Sequence, residues 1–244
     1  MVRIICISDT HSLHEGMLYN LDKLIDPSKK NILIHAGDCT NVGREFETKD
    51  FVKWFERLEG FDLKLFIAGN HDFSFEKEPD YLYELINEEK LLKSNVVYLE
   101  DEEYLLSLPE FERPIKIYGS PWQPEFHNWA FNLPRNGNIL NEKWNKIPTD
   151  TDILVTHGPS YGILDKTPFN DHVGCELLRQ RLLEVKPPIH IFGHIHNSRG
   201  VMSYNNTVCV NASICTEQYR PINKPIILDI SSVYGDMVID KIEE

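Results

Sequence analysis

Seven side chains that could bind hard or borderline metal ions fall into five short groups of this sequence. The groups are Asp9-Thr10-His11, Gly37-Asp38, Gly69-Asn70-His71-Asp72, Thr156-His157-Gly158 and Gly193-His194-Ile195-His196. Carboxylate oxygen together with imidazole nitrogen suits Mn²⁺, Fe²⁺ or Zn²⁺ better than Ca²⁺ or an all-thiolate site. Asp9, His11, Asp38, Asn70, His157, His194 and His196 are too many ligands for one ion that keeps a position open, and about right for two. Asp38 carries two oxygens on a short stem beside Gly37, so it can bridge a pair.

Most of these groups directly follow an apolar, β-branched run. Ile4-Ile5-Cys6-Ile7 precedes Asp9, Ile32-Leu33-Ile34 precedes Asp38, and Leu65-Phe66-Ile67 precedes Asn70. Ile153-Leu154-Val155 precedes His157, and Ile189-His190-Ile191-Phe192 precedes His194. Short runs of this kind bounded by Gly or polar residues read as buried strands. As neighbours in one sheet they would bring their C-terminal ends, and the ligands, to the edge where open α/β sheets bind small molecules. His194 and His196 would face the same way if their segment is extended, so that one strand end serves both ions.

The chain of 244 residues reads as one domain, 1–244, because a cut anywhere between Asp9 and His196 would divide the ligand set. A hydrophobic fraction of 41% suits a packed core. Five cysteines without CxxC spacing suggest a reduced, cytoplasmic protein. The sequence shows no secretory apolar stretch and no run of about 18 apolar residues, so no membrane partner is expected. A net charge of −13 without a Lys/Arg cluster argues against long nucleic acid as a partner.

Between the ligand groups, helices are expected over 21–25, 45–58, 81–92 and 174–185. In the second of these, Phe51, Trp54, Phe55 and Leu58 form an apolar stripe. Further strands are expected over 31–35, 95–99, 115–118, 208–210, 226–230 and 237–239, with a hairpin-like piece near 104–108. The strands grouped at the end suggest a second sheet against the first. Regular patterning fails over about 120–148, a proline- and aromatic-rich stretch that reads as a long loop.

The ordered set D-x-H, G-D, G-N-H-D, T-H-G and G-H-x-H resembles the calcineurin-like metallophosphoesterase superfamily, over roughly the first two hundred residues. Ser8-Asp9-Thr10-His11, Gly119-Ser120-Pro121-Trp122-Gln123-Pro124, Thr156-His157-Gly158-Pro159, the stretch from His190 to His196 and Asn211-Ala212-Ser213 bring it nearer to the small class III phosphodiesterases, the branch of the metallophosphoesterase-domain-containing proteins. Some of that branch lack one histidine of G-H-x-H, whereas this chain has both. The resemblance implies an α/β fold, a four-layer α/β/β/α sandwich of two mixed sheets. It implies that Asp9, His11 and His196 hold one divalent ion, Mn²⁺ by preference, and that Asn70, His157 and His194 hold the other, with Asp38 between them. Two ions about 4 Å apart would make a bridging water acidic enough to attack phosphorus as hydroxide. His71 would contact the phosphate and protonate the leaving group. Asp72 would orient that imidazole, or else serve as a turn residue before Phe73.

The expected activity is hydrolysis of a small phosphodiester such as a cyclic or other nucleotide diester. Alternatives are a phosphomonoesterase or protein phosphatase of the same fold, or a non-catalytic binding protein. Trp122, Trp129, Phe131 and His127 would form a wall that stacks a base, or else pin the loop to the core, with Gln123, Asn128 and Asn132 near the base edges. His35 reads as a core or supporting residue, His190 as buried in its strand, and His14 and His172 as surface or packing residues.

Overall fold

A computed structural model describes residues 1–78 and 93–244; the helix expected over 81–92 lies outside the described residues. In the first sheet, β1 (Val2–Ile7), β2 (Lys30–Ala36), β3 (Leu63–Ile67) and β4 (Val96–Tyr98) run parallel side by side. Two later antiparallel strands, β13 (Ile226–Val233) and β14 (Asp236–Glu243), extend this sheet beyond β1. The second sheet has a parallel centre made of β6 (Ile115–Ser120), β9 (Ile153–Thr156), β10 (Ile189–Phe192) and β12 (Thr207–Asn211). Its edges are the antiparallel strands β5 (Glu102–Leu106) and β11 (Gly200–Tyr204).

Alternation along the strands builds the layers, because successive side chains leave a strand on opposite faces. Val2, Ile4 and Cys6 of β1 meet Ile117, Val155, Ile189 and Val210 of the other sheet in one shared apolar layer. Ile5 and Ile7 point the other way, onto α1 (Glu45–Arg57), where Phe51, Val52, Trp54 and Phe55 are buried. The outer face of the second sheet, through Leu154, Phe192 and Cys209, is covered by α3 (Asn138–Asn145) and α4 (Glu176–Val185). A single-turn helix, α2 (Phe73–Lys77), follows the β3 loop. The layers therefore run helix, sheet, sheet, helix.

α1 begins where the Glu47 carboxylate accepts the Arg44 backbone N–H at 2.9 Å, and its chain reverses at Gly60, φ +81°. Burying each aromatic side chain of its inner face is worth about 1.5–3 kcal/mol, so packing rather than helix propensity holds α1 in place. Among the described residues no helix is long and apolar enough to cross a membrane.

Three expectations change. The five strands that precede the ligand groups are split between the sheets, β1, β2 and β3 in one and β9 and β10 in the other. The closing strands divide too: β11 and β12 join the second sheet, but β13 and β14 return to β1. The stretch 120–148 is not a plain loop. It contains α3, whose Leu140 and Trp144 lie one turn apart and are buried, and a short parallel pair, β7 (Gln123–Pro124) with β8 (Asn132–Leu133).

Candidate metal centre

The loops leaving β1, β2, β3, β9 and β10 meet at one end of the sandwich, and backbone hydrogen bonds lace them together. The Asp9 N–H donates to Gly37 O (2.9 Å), His11 N–H to Asp38 O (3.0 Å) and Gly193 N–H to His157 O (2.9 Å). Close approach demands missing side chains. A Cβ on Gly193 would lie 2.1 Å from Asp9 Oδ2, and one on Gly69 2.3 Å from Asp38 Oδ1. Four candidate ligands sit in the left-handed region, Asp9, His11, Asp38 and His194, with φ between 44° and 67°. Each such non-glycine conformation costs roughly 1–2 kcal/mol, which the surrounding hydrogen bonds must offset. The extended segment expected for His194 and His196 is thus replaced by a turn, with His196 opening a short 3-10 helix.

The side chains converge in three groups whose donor atoms lie within 4.8 Å of one another: Asp9, His11 and His196; Asp38, His157 and His194; and His11, Asp38 and His71. His157 Nδ1 lies 2.9 Å from Ala36 O, and His196 Nδ1 lies 3.1 Å from Thr216 O. A carbonyl only accepts, so each Nδ1 carries the proton and Nε2 is the lone-pair nitrogen of the neutral ring. These Nε2 atoms face further acceptors. His157 Nε2 is 2.9 Å from Asn70 Oδ1 and 3.3 Å from Asp38 Oδ1, while His196 Nε2 is 3.2 Å from Asp9 Oδ1. Lone pair against lone pair requires positive charge between them, from protons or from cations.

The ionisation of the centre expresses the same requirement. Burial lowers the His157 pKa, but Asp38 and Asp9 outweigh it and raise it to about 9. For His196, burial is likewise overcome, by Asp9. Burial opposes charge on Asp9 and Asp38, yet the facing imidazoles hold both well below the usual carboxylate range. His11 and His194 go the other way, pushed by burial to about 4 and about 3. His11 Nδ1 is buried without a partner. This donor set fits two divalent cations. Asp38 stands between the groups, its Oδ1 toward His157 and its Oδ2 3.8 Å from His11 Nε2 and 4.0 Å from His71 Nε2.

His71 is held at the rim of this centre. Its Nδ1 lies 2.6 Å from Asn41 O and its backbone N–H donates to Asp38 Oδ1 at 2.8 Å. The orienting role expected for Asp72 gives way to another. The Asp72 carboxylate accepts from Gly69 N–H, Cys39 N–H, Thr40 N–H and the Thr40 hydroxyl, which ties the β2 and β3 loops together. Burial, with Asp38 nearby, pushes its pKa up to about 6 against those hydrogen bonds.

The expected aromatic wall is also redistributed. Phe131 is wholly buried in the core beside α1, and Trp122 packs on it edge to face at 5.4 Å. The Trp122 indole N–H donates to Asp101 at 3.1 Å and Lys143 Nζ stands 4.0 Å over its ring. Both are scaffold. Gln123 and Asn132 bond to each other (3.1 Å), so their amides serve the loop. Trp129 does reach the centre, stacked on His71 with ring centroids 4.0 Å apart. His127 is exposed, 4.3 Å from Phe126, whose exposed ring lies 6.2 Å from His194.

Tyr219 escapes a reading from motifs, because it follows neither a strand nor a glycine. Its ring lies 4.8 Å from that of His11 and 5.7 Å from that of His196, and it is 45% exposed. His35 and His190 are buried supports, 2.9 Å from Thr10 Oγ1 and 2.8 Å from Thr156 Oγ1.

Comparison with known proteins follows the same lines. The sequence profile of calcineurin-like phosphoesterases matches residues 2–198. Metallophosphoesterase domain-containing protein 1 of Homo sapiens is 41% identical over 248 residues, covering 93% of this chain and 71% of that protein. Phosphopantetheinyl hydrolase from Mycobacterium tuberculosis superposes with a TM-score of 0.54 at 18% identity, over 88% of this chain and 90% of that one. The NAD nucleotidase of Haemophilus influenzae does so with 0.51 at 14% identity, over 99% of this chain and 49% of that one. At such identities the likeness to these two structures is one of fold.

Proposed function

The chain belongs to the calcineurin-like phosphoesterase family, and from that premise we propose that it hydrolyses small phosphodiesters, nucleotide diesters among them. Asp9, His11 and His196 would hold one divalent ion and Asn70, His157 and His194 a second, with Asp38 facing both. When bound, such ions polarise phosphoryl oxygens and make water acidic enough to react near neutral pH. Mn²⁺ is the expected metal, and Fe²⁺ or Zn²⁺ also suit the donors. His71, with Nδ1 committed to Asn41, has Nε2 turned toward the centre, where it would protonate the departing oxygen.

One observation carries the preference for diesters. A diester brings a second carbon-bearing substituent, and two exposed rings flank the centre to receive one, Phe126 beside His194 and Tyr219 beside His11 and His196. Five free, buried cysteines support a cytoplasmic setting. The test is a substrate panel on metal-reconstituted protein: a nitrophenyl diester, a cyclic nucleotide and the matching monoesters. Turnover of the diesters, abolished by chelation and restored by Mn²⁺, is expected. Turnover of monoesters alone would make the protein a phosphomonoesterase, and no turnover with both ions bound would make it a binding protein.

A further inference from the structure

We infer that Trp129 is a positioning residue for His71 and not a platform for substrate, an inference that rests on the proposed acid role of His71. The two rings lie 4.0 Å apart with their planes 26° from parallel. The Trp129 ring also has Phe73 5.8 Å away at 35°. An aromatic ring already stacked on protein in this way is poorly placed to take a base. The hydrogen bond from Nδ1 to Asn41 O (2.6 Å) fixes one point in the His71 ring but leaves the ring free to tilt about that line. A flat indole against its face removes the tilt.

The position of Trp129 is itself set from the loop that carries His71. The next residue, Ala130, donates its N–H to Asn70 O at 3.0 Å, and Phe131 N–H donates to Glu76 Oε1 at 2.9 Å. Phe131 is wholly buried, which anchors the far side. Trp129 and His71 are therefore held as one unit, with His11 edge-on to His71 at 4.6 Å. A general acid must come within about 2.6–3.2 Å of the oxygen it protonates, and a misplacement on the order of 1 Å costs roughly a hundredfold.

The experiment compares Trp129→Ala and Trp129→Phe with His71→Ala. In the metal-free protein the His71 ring protons, assigned by their loss in His71→Ala, should show an upfield ring-current shift. Trp129→Ala should abolish that shift and Trp129→Phe should keep part of it. On a diester with a poor alkoxide leaving group, Trp129→Ala should lower kcat roughly tenfold to hundredfold with KM within about twofold. On a nitrophenyl diester the loss should stay within about threefold, since that oxygen hardly needs a proton. Trp129→Phe should recover most of the rate, and Trp129→Ala should add no further loss to His71→Ala. Metal content should not change. Should Trp129→Ala fail to fold, Trp129→Leu reads the same differences, having an apolar body without a flat face.

Raised KM with kcat spared would overturn the inference in favour of a substrate platform. Equal losses on both esters, or no loss, would also overturn it. The His71→Ala control separates this from the parent reading. If His71→Ala hits both esters equally, the acid role falls and the positioning role with it. If His71→Ala discriminates and Trp129→Ala does not, only the positioning role falls.

Discussion

The hydroxyl of Ser213, just beyond β12 in the second sheet, lies 2.8 Å from Oδ2 of Asp9, just beyond β1 in the first. Asn211 sets this up: its Nδ2 donates to Ile195 O at 2.8 Å and its Oδ1 accepts the Ser213 N–H at 3.2 Å. The His194 N–H is shared between Oδ1 and Oδ2 of Asp9 at 3.0 Å each, and Oδ1 also faces His196 Nε2 at 3.2 Å. Partners of this kind are worth about 10–100-fold in metal affinity. Ser213→Ala should therefore weaken Mn²⁺ binding about tenfold or more while kcat at saturating metal changes little. A metal titration with unchanged affinity would show that Ser213 serves only to join the sheets.

Among the described residues Asp38 is the one carboxylate that faces His11, His71 and His157 together. Asp38→Asn should lower activity by more than about a hundredfold, beyond the usual loss for a supporting partner. The loss should exceed those of Asn70→Ala and His196→Ala. Metal analysis of the purified variant should show the content falling with the activity. Full activity in a protein holding less than one ion per chain would rule out a two-ion reaction.

Trp122 and Phe126 should behave oppositely. Trp122 packs on Phe131 under Lys143, so Trp122→Ala should cost about 2 kcal/mol or more of stability and touch all substrates alike. Phe126 is exposed beside His194, so Phe126→Ala should leave Tm in place. It should raise KM for a nucleotide diester roughly tenfold while sparing a diester without a base, in line with a stacking energy of about 1–3 kcal/mol. Thermal melts and paired kinetics on both variants decide between scaffold and subsite.

Buried histidines should make the protein sensitive to mild acid. Burial holds the His190 pKa down at about 3, against about 6.5 in an unfolded chain. Between those values the unfolded state binds a proton that the folded state refuses. The stability is therefore complete above pH 6.5 and drains away as pH falls toward 3, at up to about 1.4 kcal/mol per pH unit. His190→Gln should flatten this. In urea unfolding of metal-free protein, the stability difference between pH 7.5 and pH 5.5 should shrink by about 1 kcal/mol. A variant with the wild-type difference would place the sensitivity elsewhere, with His35 the next candidate because burial holds it down in the same way.

That these residue groups meet at one place was legible because each follows a short buried strand, and strand signals are local. Sheet membership was not. Parallel pairing is made by residues far apart, and nothing within Ile153-Leu154-Val155 says that it lies beside Ile189-His190-Ile191 rather than beside Ile4-Ile5-Cys6. α3 was hidden because its apolar face is only Leu140 and Trp144 amid polar residues. Composition could not sort the loop aromatics either, since Phe131 and Phe126 are chemically alike and one is wholly buried while the other is 52% exposed. Of the two roles open to Asp72, the one suggested by its place next to His71 fails, because its hydrogen bonds run to Gly69, Cys39 and Thr40, while it does stand in the turn that opens α2.

Because the candidate ligands come from both sheets, the ions would also act as a cross-link. An ion shared by Asp9 and His196 would pin together points 187 residues apart, in a chain whose five cysteines form no disulfide. Closing so long a loop takes much freedom from the unfolded chain. A ligand that binds only the folded state adds about 2.7 kcal/mol at a hundred times its Kd. Chelation should then do more than stop chemistry. It should lower Tm and let proteases in first at the end of the sandwich where the ligand loops meet, and added Mn²⁺ should reverse both. In a cell short of metal, the quantity of this protein would fall along with its activity.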